Sequence, residues 1–108
     1  MNERLKKIIY NKLFDDLKDV EIIPYENSIW FINRENKYWY FEYQKSGRLW
    51  WRWKFFENFF QLFSLQPEDY EPIISSWVED VLNCKVKTSR SVSFGSFVSV
   101  EDVLNQNN

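Results

Sequence analysis

Three runs of aromatic and β-branched residues, Ser28–Asn33, Lys37–Gln44 and Arg48–Trp53, follow one another with only Arg34-Glu35-Asn36 and Lys45-Ser46-Gly47 between them. Strand-forming runs joined by short polar turns, one of them carrying Gly, predict two consecutive hairpins and hence a three-stranded antiparallel meander. The stretch 28–54 holds ten aromatic side chains. Alternation divides strand side chains between two faces. One face is expected to carry Trp39, Phe41, Tyr43, Leu49, Trp51 and Trp53, and the other Tyr38, Tyr40, Glu42, Trp50, Arg52 and Lys54. Trp30 and Ile32 go to one side, Ile29 and Phe31 to the other. Three such strands offer about 300 Å² per face, from their spacing and rise. One aromatic side chain buries about 150–250 Å². A single covered face cannot absorb these rings. Either helices cover both faces, or one face is a binding or oligomer surface.

Around the meander, residues 3–18 read as an amphipathic helix, with Leu5, Ile8, Ile9, Leu13 and Leu17 at helical spacing and Asn2 as its N-cap. Val20-Glu21-Ile22-Ile23 reads as a short strand stopped by Pro24. Further on, Phe55, Phe56, Phe59, Phe60, Leu62 and Phe63 fall on one side of a helix. Gln66-Pro67-Glu68-Asp69 opens another, its carboxylates near the positive N-terminal end. Its buried stripe is expected at Ile73, Ile74, Trp77, Val78, Val81 and Leu82, with Pro72 tolerated in the first turn. Lys85–Val100 alternates Ser with Val and Phe, as a strand or a hairpin at Gly95-Ser96 would. The expected fold is one α+β domain over 1–104 with a polar tail at 105–108. It comprises an N-terminal helix, a three- to five-stranded antiparallel meander and two following helices. A helix ahead of a bent meander also opens the Sm-like or SH3-like small barrel, the alternative architecture.

Composition narrows the chemistry. The 108 residues include no His and one Cys, and the formal charge is −2. Without His there is no imidazole base, imidazole metal ligand or imidazole pH switch. One Cys allows neither an internal disulfide nor a Cys-cluster zinc site, and a reducing, cytoplasmic compartment is the default. The N-terminus lacks an apolar signal region, and no run approaches the roughly 18 apolar residues of a membrane helix. The acid pairs Asp15-Asp16, Glu68-Asp69, Glu79-Asp80 and Glu101-Asp102 sit on adjacent helix positions that point apart, which suits solvated faces rather than a shared site. Cys84 has no His to activate it. No P-loop, dinucleotide fingerprint, nucleophile elbow or kinase motif occurs. The expectation is a protein that is not an enzyme, with no catalytic residue, metal or cofactor.

Charge is unevenly spread. Residues 28–54 hold six basic and two acidic side chains, whereas residues 64–83 hold five acids and no base. Aromatic rings interleaved with cations are how single-stranded nucleic acid is held, bases stacking while the cations track the backbone. Tyr38, Tyr40, Trp50, Arg52 and Lys54 are therefore the candidate binding residues, for RNA or another single strand or for a protein partner.

A second pattern is a repeat: Val78-Glu79-Asp80-Val81-Leu82-Asn83 recurs as Val100-Glu101-Asp102-Val103-Leu104-Asn105. Each copy puts Val, Val and Leu on one helical face and the acids on the other. Ser99 and Asp102 form a capping box for the second. Two copies in unlike surroundings do not make a solenoid. They read as a duplication giving two short amphipathic helices, or as two segments able to dock in one groove, the C-terminal one by swapping between subunits.

The run Tyr38-Trp39-Tyr40-Phe41-Glu42-Tyr43, then Gly47-Arg48-Leu49-Trp50-Trp51, Phe55-Phe56 through Phe63-Ser64-Leu65, Tyr70-Glu71 and Trp77 through Asn83, resembles small uncharacterised proteins of marine T-even-type phages. The resemblance spans about residues 28–83, and ten Asn with no Ala agree with an AT-rich coding genome. It implies a phage-encoded accessory protein acting in the host cytoplasm and carries no activity or site residue with it. Together these features lead to a non-enzymatic small interaction protein that forms homo-oligomers through an aromatic sheet surface. The alternative is a single-stranded nucleic-acid binder; no membrane and no small-molecule cofactor are expected.

Overall fold

The computed structural model describes residues 3–51, 66–85, 87–88 and 99–106. The first helix, α1 (Glu3–Asp16), buries Ile9 and Leu13, and Leu17 follows just past its end. Leu5 packs partly against the same cluster. Leu17 N–H donates to the Leu13 carbonyl at 2.9 Å, so helical bonding persists beyond Asp16. The stripe is the one that the spacing predicts, while Phe14 on the outer side stays 71% exposed.

Four strands then run as an antiparallel meander: β1 (Glu21–Tyr25), β2 (Ser28–Asn33), β3 (Tyr38–Gln44) and β4 (Arg48–Trp51). A two-residue strand, β5 (Lys87–Thr88), adds parallel to β4. Turn chemistry sets the register. Asn33 Oδ1 accepts the amides of Glu35 and Asn36, and Lys37 takes a left-handed φ of 57° before β3 begins. Gly47, at φ 98°, occupies the region that favours glycine and donates its N–H to the Gln44 carbonyl at 2.8 Å. Among the described residues the strand order β1-β2-β3-β4-β5 leaves β1 and β5 at opposite edges, the layout of a meander sheet rather than of the small-barrel alternative.

The expectation that Pro24 stops the first strand needs correction. β1 continues through it to Tyr25, with Pro24 facing Ile29 of β2. Proline lacks only its amide, and at a sheet edge that amide has no ladder to serve. The carbonyl of Pro24 instead accepts Gln106 Nε2 at 2.6 Å. Arg34 clamps the β1–β2 hairpin from the side through two 2.8 Å bonds to the Glu21 carboxylate.

The second helix, α2 (Pro67–Leu82), begins after Gln66, whose N–H donates to Asp69 Oδ2 at 3.1 Å. Pro72 falls in the second turn rather than the first, where its ring removes one amide donor from the helix. The helix ends on Asn83 in the left-handed conformation. Tyr70, Ile73, Ile74 and Val78 are buried, and Trp77 and Leu82 partly so. Val81 departs from the expected stripe, being 40% exposed. A third helix, α3 (Val100–Asn105), starts at Ser99, whose Oγ accepts the Asp102 amide at 3.1 Å, as the capping pattern predicts. The expected helix over 55–63 and the Ser-rich hairpin at Gly95-Ser96 lie outside the described residues.

Packing forms three layers. α1 and α2 cover one face of the sheet, here called the helix face, with Phe31, Tyr40, Phe41, Leu49 and Trp51 between them. On the opposite, outer face, α3 packs Val103 and Leu104 against Ile23, Trp30 and Ile32. The molecule is thus α+β with a meander sheet, and among the described meander residues the aromatics Trp30, Phe31, Tyr40, Phe41 and Trp51 are buried.

Candidate functional site

The outer face is built on one cross-strand row. Trp30 of β2 pairs with Glu42 of β3, which pairs with Trp50 of β4. A carboxylate therefore sits between two tryptophans, and it is only 3% exposed. Ser28 Oγ donates to Glu42 Oε2 at 2.9 Å from the neighbouring row, and Gln44 Nε2 donates to the same oxygen at 3.4 Å. Trp50 is half-buried, with the Arg48 guanidinium carbon 5.5 Å from its ring centre, in range for a cation–π contact. Trp30 meets Trp39 edge-on at 5.6 Å and 82°.

Of the five candidate binding residues, the sheet does not bring the three described ones together. β3 contains a bulge: Phe41 faces Phe31 and Trp39 faces Ile32, so Tyr40 is the extra residue between two consecutive register pairs. From that point the alternation reverses. Tyr38 and Tyr40 join the helix-face cluster, Tyr40 buried and Tyr38 partly so, with their rings 4.8 Å apart. Trp39, expected beside Phe41, lies instead with Trp30 and Ile32 on the outer face. Trp50 stays on the outer face, and Arg52 and Lys54 lie outside the described residues. Trp39 is the site residue that alternation misplaces, while Ser28 and Gln44 share the parity of Trp30 and Glu42 and, being neither aromatic nor charged, do not stand out in the sequence. Tyr38-Trp39-Tyr40-Phe41 is aromatic at both parities, so no polar residue marks where the face changes.

α3 borders this surface. Its Glu101 pairs with Lys37 in the β2–β3 turn, and Gln106 reaches Pro24. The repeat resolves into two different arrangements. In the first copy Val78 is fully buried in the helix-face cluster and Val81 is exposed. In the second Val103 is fully buried and Val100 only partly, in the outer-face cluster. One hexapeptide thus packs two ways, and within the chain the copies do not share a groove.

Polar contacts elsewhere join elements. Tyr10 donates from α1 to Ser76 Oγ at 3.1 Å and lies 3.2 Å from Asp80 Oδ2 on α2. Burial pushes its phenol above the ordinary value, and the nearby Asp80 charge adds to that. Tyr40 is raised chiefly by burial too. Tyr43 is raised first by its hydrogen bond with the Cys84 thiol, and its hydroxyl also donates to the Lys85 carbonyl at 3.3 Å. Among the described residues no cluster of His, Cys, Asp or Glu is grouped to hold a metal ion, and no helix is long and apolar enough to cross a membrane. The chain matches no protein-family model, no curated protein and no solved structure.

Proposed function

We propose that this is a non-enzymatic interaction protein, a phage-encoded accessory acting in the host cytoplasm, which self-associates through the outer face of its sheet. The observation that carries this is Trp50. It is a large amphipathic ring, only half-buried, on a face where α3 packs two strands away on Trp30 and Ile32. Half-buried Trp39 lies on the same face. Rings of this kind, presented on a rigid strand, supply contact area at little entropic cost and are typical interface anchors.

Glu42 favours a protein partner over a nucleic acid. A carboxylate directly beside Trp50 opposes any phosphate backbone that would run along the face. A second copy brings one carboxylate of its own, buried and hydrogen-bonded to Ser28, rather than a charge on every unit of a strand. Sedimentation of the full chain over a concentration series tests the proposal. Reversible self-association that persists in high salt and is weakened by Trp50→Ala supports it, since apolar association is not screened. A concentration-independent monomer defeats it. Tryptophan quenching by a single-stranded oligonucleotide, falling steeply with added salt, would replace it with the nucleic-acid reading.

A further inference from the structure

α3 is six residues long, too short to keep helical form unaided. Its form depends on docking, and the docking is slight. Val103 and Leu104 are buried, Val100 is partly so, Glu101 pairs with Lys37 through two mostly exposed side chains, and Gln106 Nε2 donates to the Pro24 carbonyl. Exposed ion pairs of this kind add little. Beneath lie Ile23, Trp30 and Ile32, flanked by Tyr25 and Trp39.

We infer that α3 is a detachable cover, and that a second copy of this chain occupies the outer face when α3 leaves it. The inference rests on the self-association proposed above and adds its control. Contact area decides the matter. Aromatic side chains bury about 150–250 Å² each, so the half-buried Tyr25, Trp39 and Trp50 together supply less than about 450–750 Å² per subunit. A stable interface takes about 800 Å² from each partner. With α3 docked the face falls short. With α3 released, Trp30 and the remaining area of Tyr25 and Trp39 bring the aromatic surface to about 600–1,000 Å², and Ile23 and Ile32 fill the space between them.

The added surface is continuous with the half-buried rings of Trp39 and Trp50. Trp30 touches Trp39 and shares the cross-strand row with Glu42 and Trp50. Two such faces pack as aligned sheets do. Docking of α3 and pairing of subunits then exclude each other. Because both subunits must open, the dimer association constant of the full chain is reduced by the square of the fraction of molecules in which α3 is released. The identical hexapeptide in α2 does not replace α3, because its Val78 is fixed in the helix-face core.

Three variants of the full chain, followed by sedimentation over a concentration series, test the cover. Val103→Asp ejects α3 and is expected to tighten the dimer by at least about a hundredfold, the square of the reciprocal of an open population of at most about one in ten. A synthetic peptide of residues 99–108, added in excess, should return this variant towards monomer. Glu101→Lys repels Lys37 and should tighten the dimer by a smaller factor without touching the core. Lys37→Glu combined with Glu101→Lys restores attraction and should restore the original constant. Circular dichroism checks that α1 and α2 persist, and if Val103→Asp loses them the charge pair decides alone. Dimerisation that depends on Trp50 yet is the same in all folded variants overturns the cover and leaves the self-association standing. Loss of the dependence on Trp50 defeats the self-association itself.

Discussion

Tyr40 and Phe41 are neighbours in the chain and both point into the same core, under α1 and α2. Only the bulge in β3 permits this, since adjacent strand residues otherwise face opposite ways. Tyr40 is consequently a core residue. Tyr40→Ala is expected to cost about 3 kcal/mol or more, in line with other buried aromatics. Tyr38→Ala, at a half-buried ring, should cost less than half of that. Urea unfolding at constant m checks both.

The two copies of the hexapeptide predict opposite sensitivities at equivalent positions. Val78→Ala empties a fully buried site and should cost about 2 kcal/mol. Val81→Ala, three residues on, should stay within about 0.5 kcal/mol. In the second copy the pattern inverts: Val103→Ala should strip amide protection from α3, and Val100→Ala should have the smaller effect. Hydrogen exchange resolves the two helices separately.

Glu42 depends on Ser28. Ser28→Ala removes the shorter of the two donors to a buried carboxylate oxygen and should cost about 1–3 kcal/mol. Gln44→Ala, which removes the 3.4 Å contact, should cost clearly less. Chemical denaturation of the two variants side by side gives the ranking.

Two groups of side chains give stability a pH dependence of opposite sign. The hydrogen bond from Arg34, reinforced by its charge, holds Glu21 below its ordinary value of 4.5. A lowered folded value means that the contribution is present above the ordinary value and is lost as pH falls through the folded one. Arg34→Ala should return the Glu21 carboxyl to the ordinary range in a carbon-detected NMR titration. Tyr10 and Tyr40 are raised above 10.0, chiefly by burial. Their contribution is present below that value and is lost as pH rises through the folded values. The phenolate absorbance of the folded protein should therefore lag that of the urea-unfolded chain.

The sequence carries its element boundaries plainly and its faces poorly. α1, α2 and the three central strands lie where periodicity and turn residues put them, because Ile9, Leu13, Tyr43 and Gly47 each answer to a local rule. Tyr38 and Tyr40 went to the wrong face because one extra residue reverses every later alternation, and an aromatic run has no polar member to betray it. Pro24 reads as a stop because a lone sequence does not say which strands are at the edge. The pairing of Lys87 with Arg48 is invisible for a similar reason: two residues carry no period. The different packing of Val81 and Val103 is wholly a matter of context, since their local sequences are identical. The candidate site was legible in residue type at Trp50 alone among the described positions.

Gln106 meets Pro24 across 82 residues of chain. A ribosome adding about 5–20 residues per second needs about 4–16 s to travel that distance. A hairpin closes in about 1–10 μs, so the nascent β1–β2 pair exists long before its distant clasp has been synthesised. For those seconds the growing polypeptide trails an uncovered strand past its neighbours on the same message. The ring of Pro24, which offers no amide to a passing strand, is the safeguard present from the moment that strand is made.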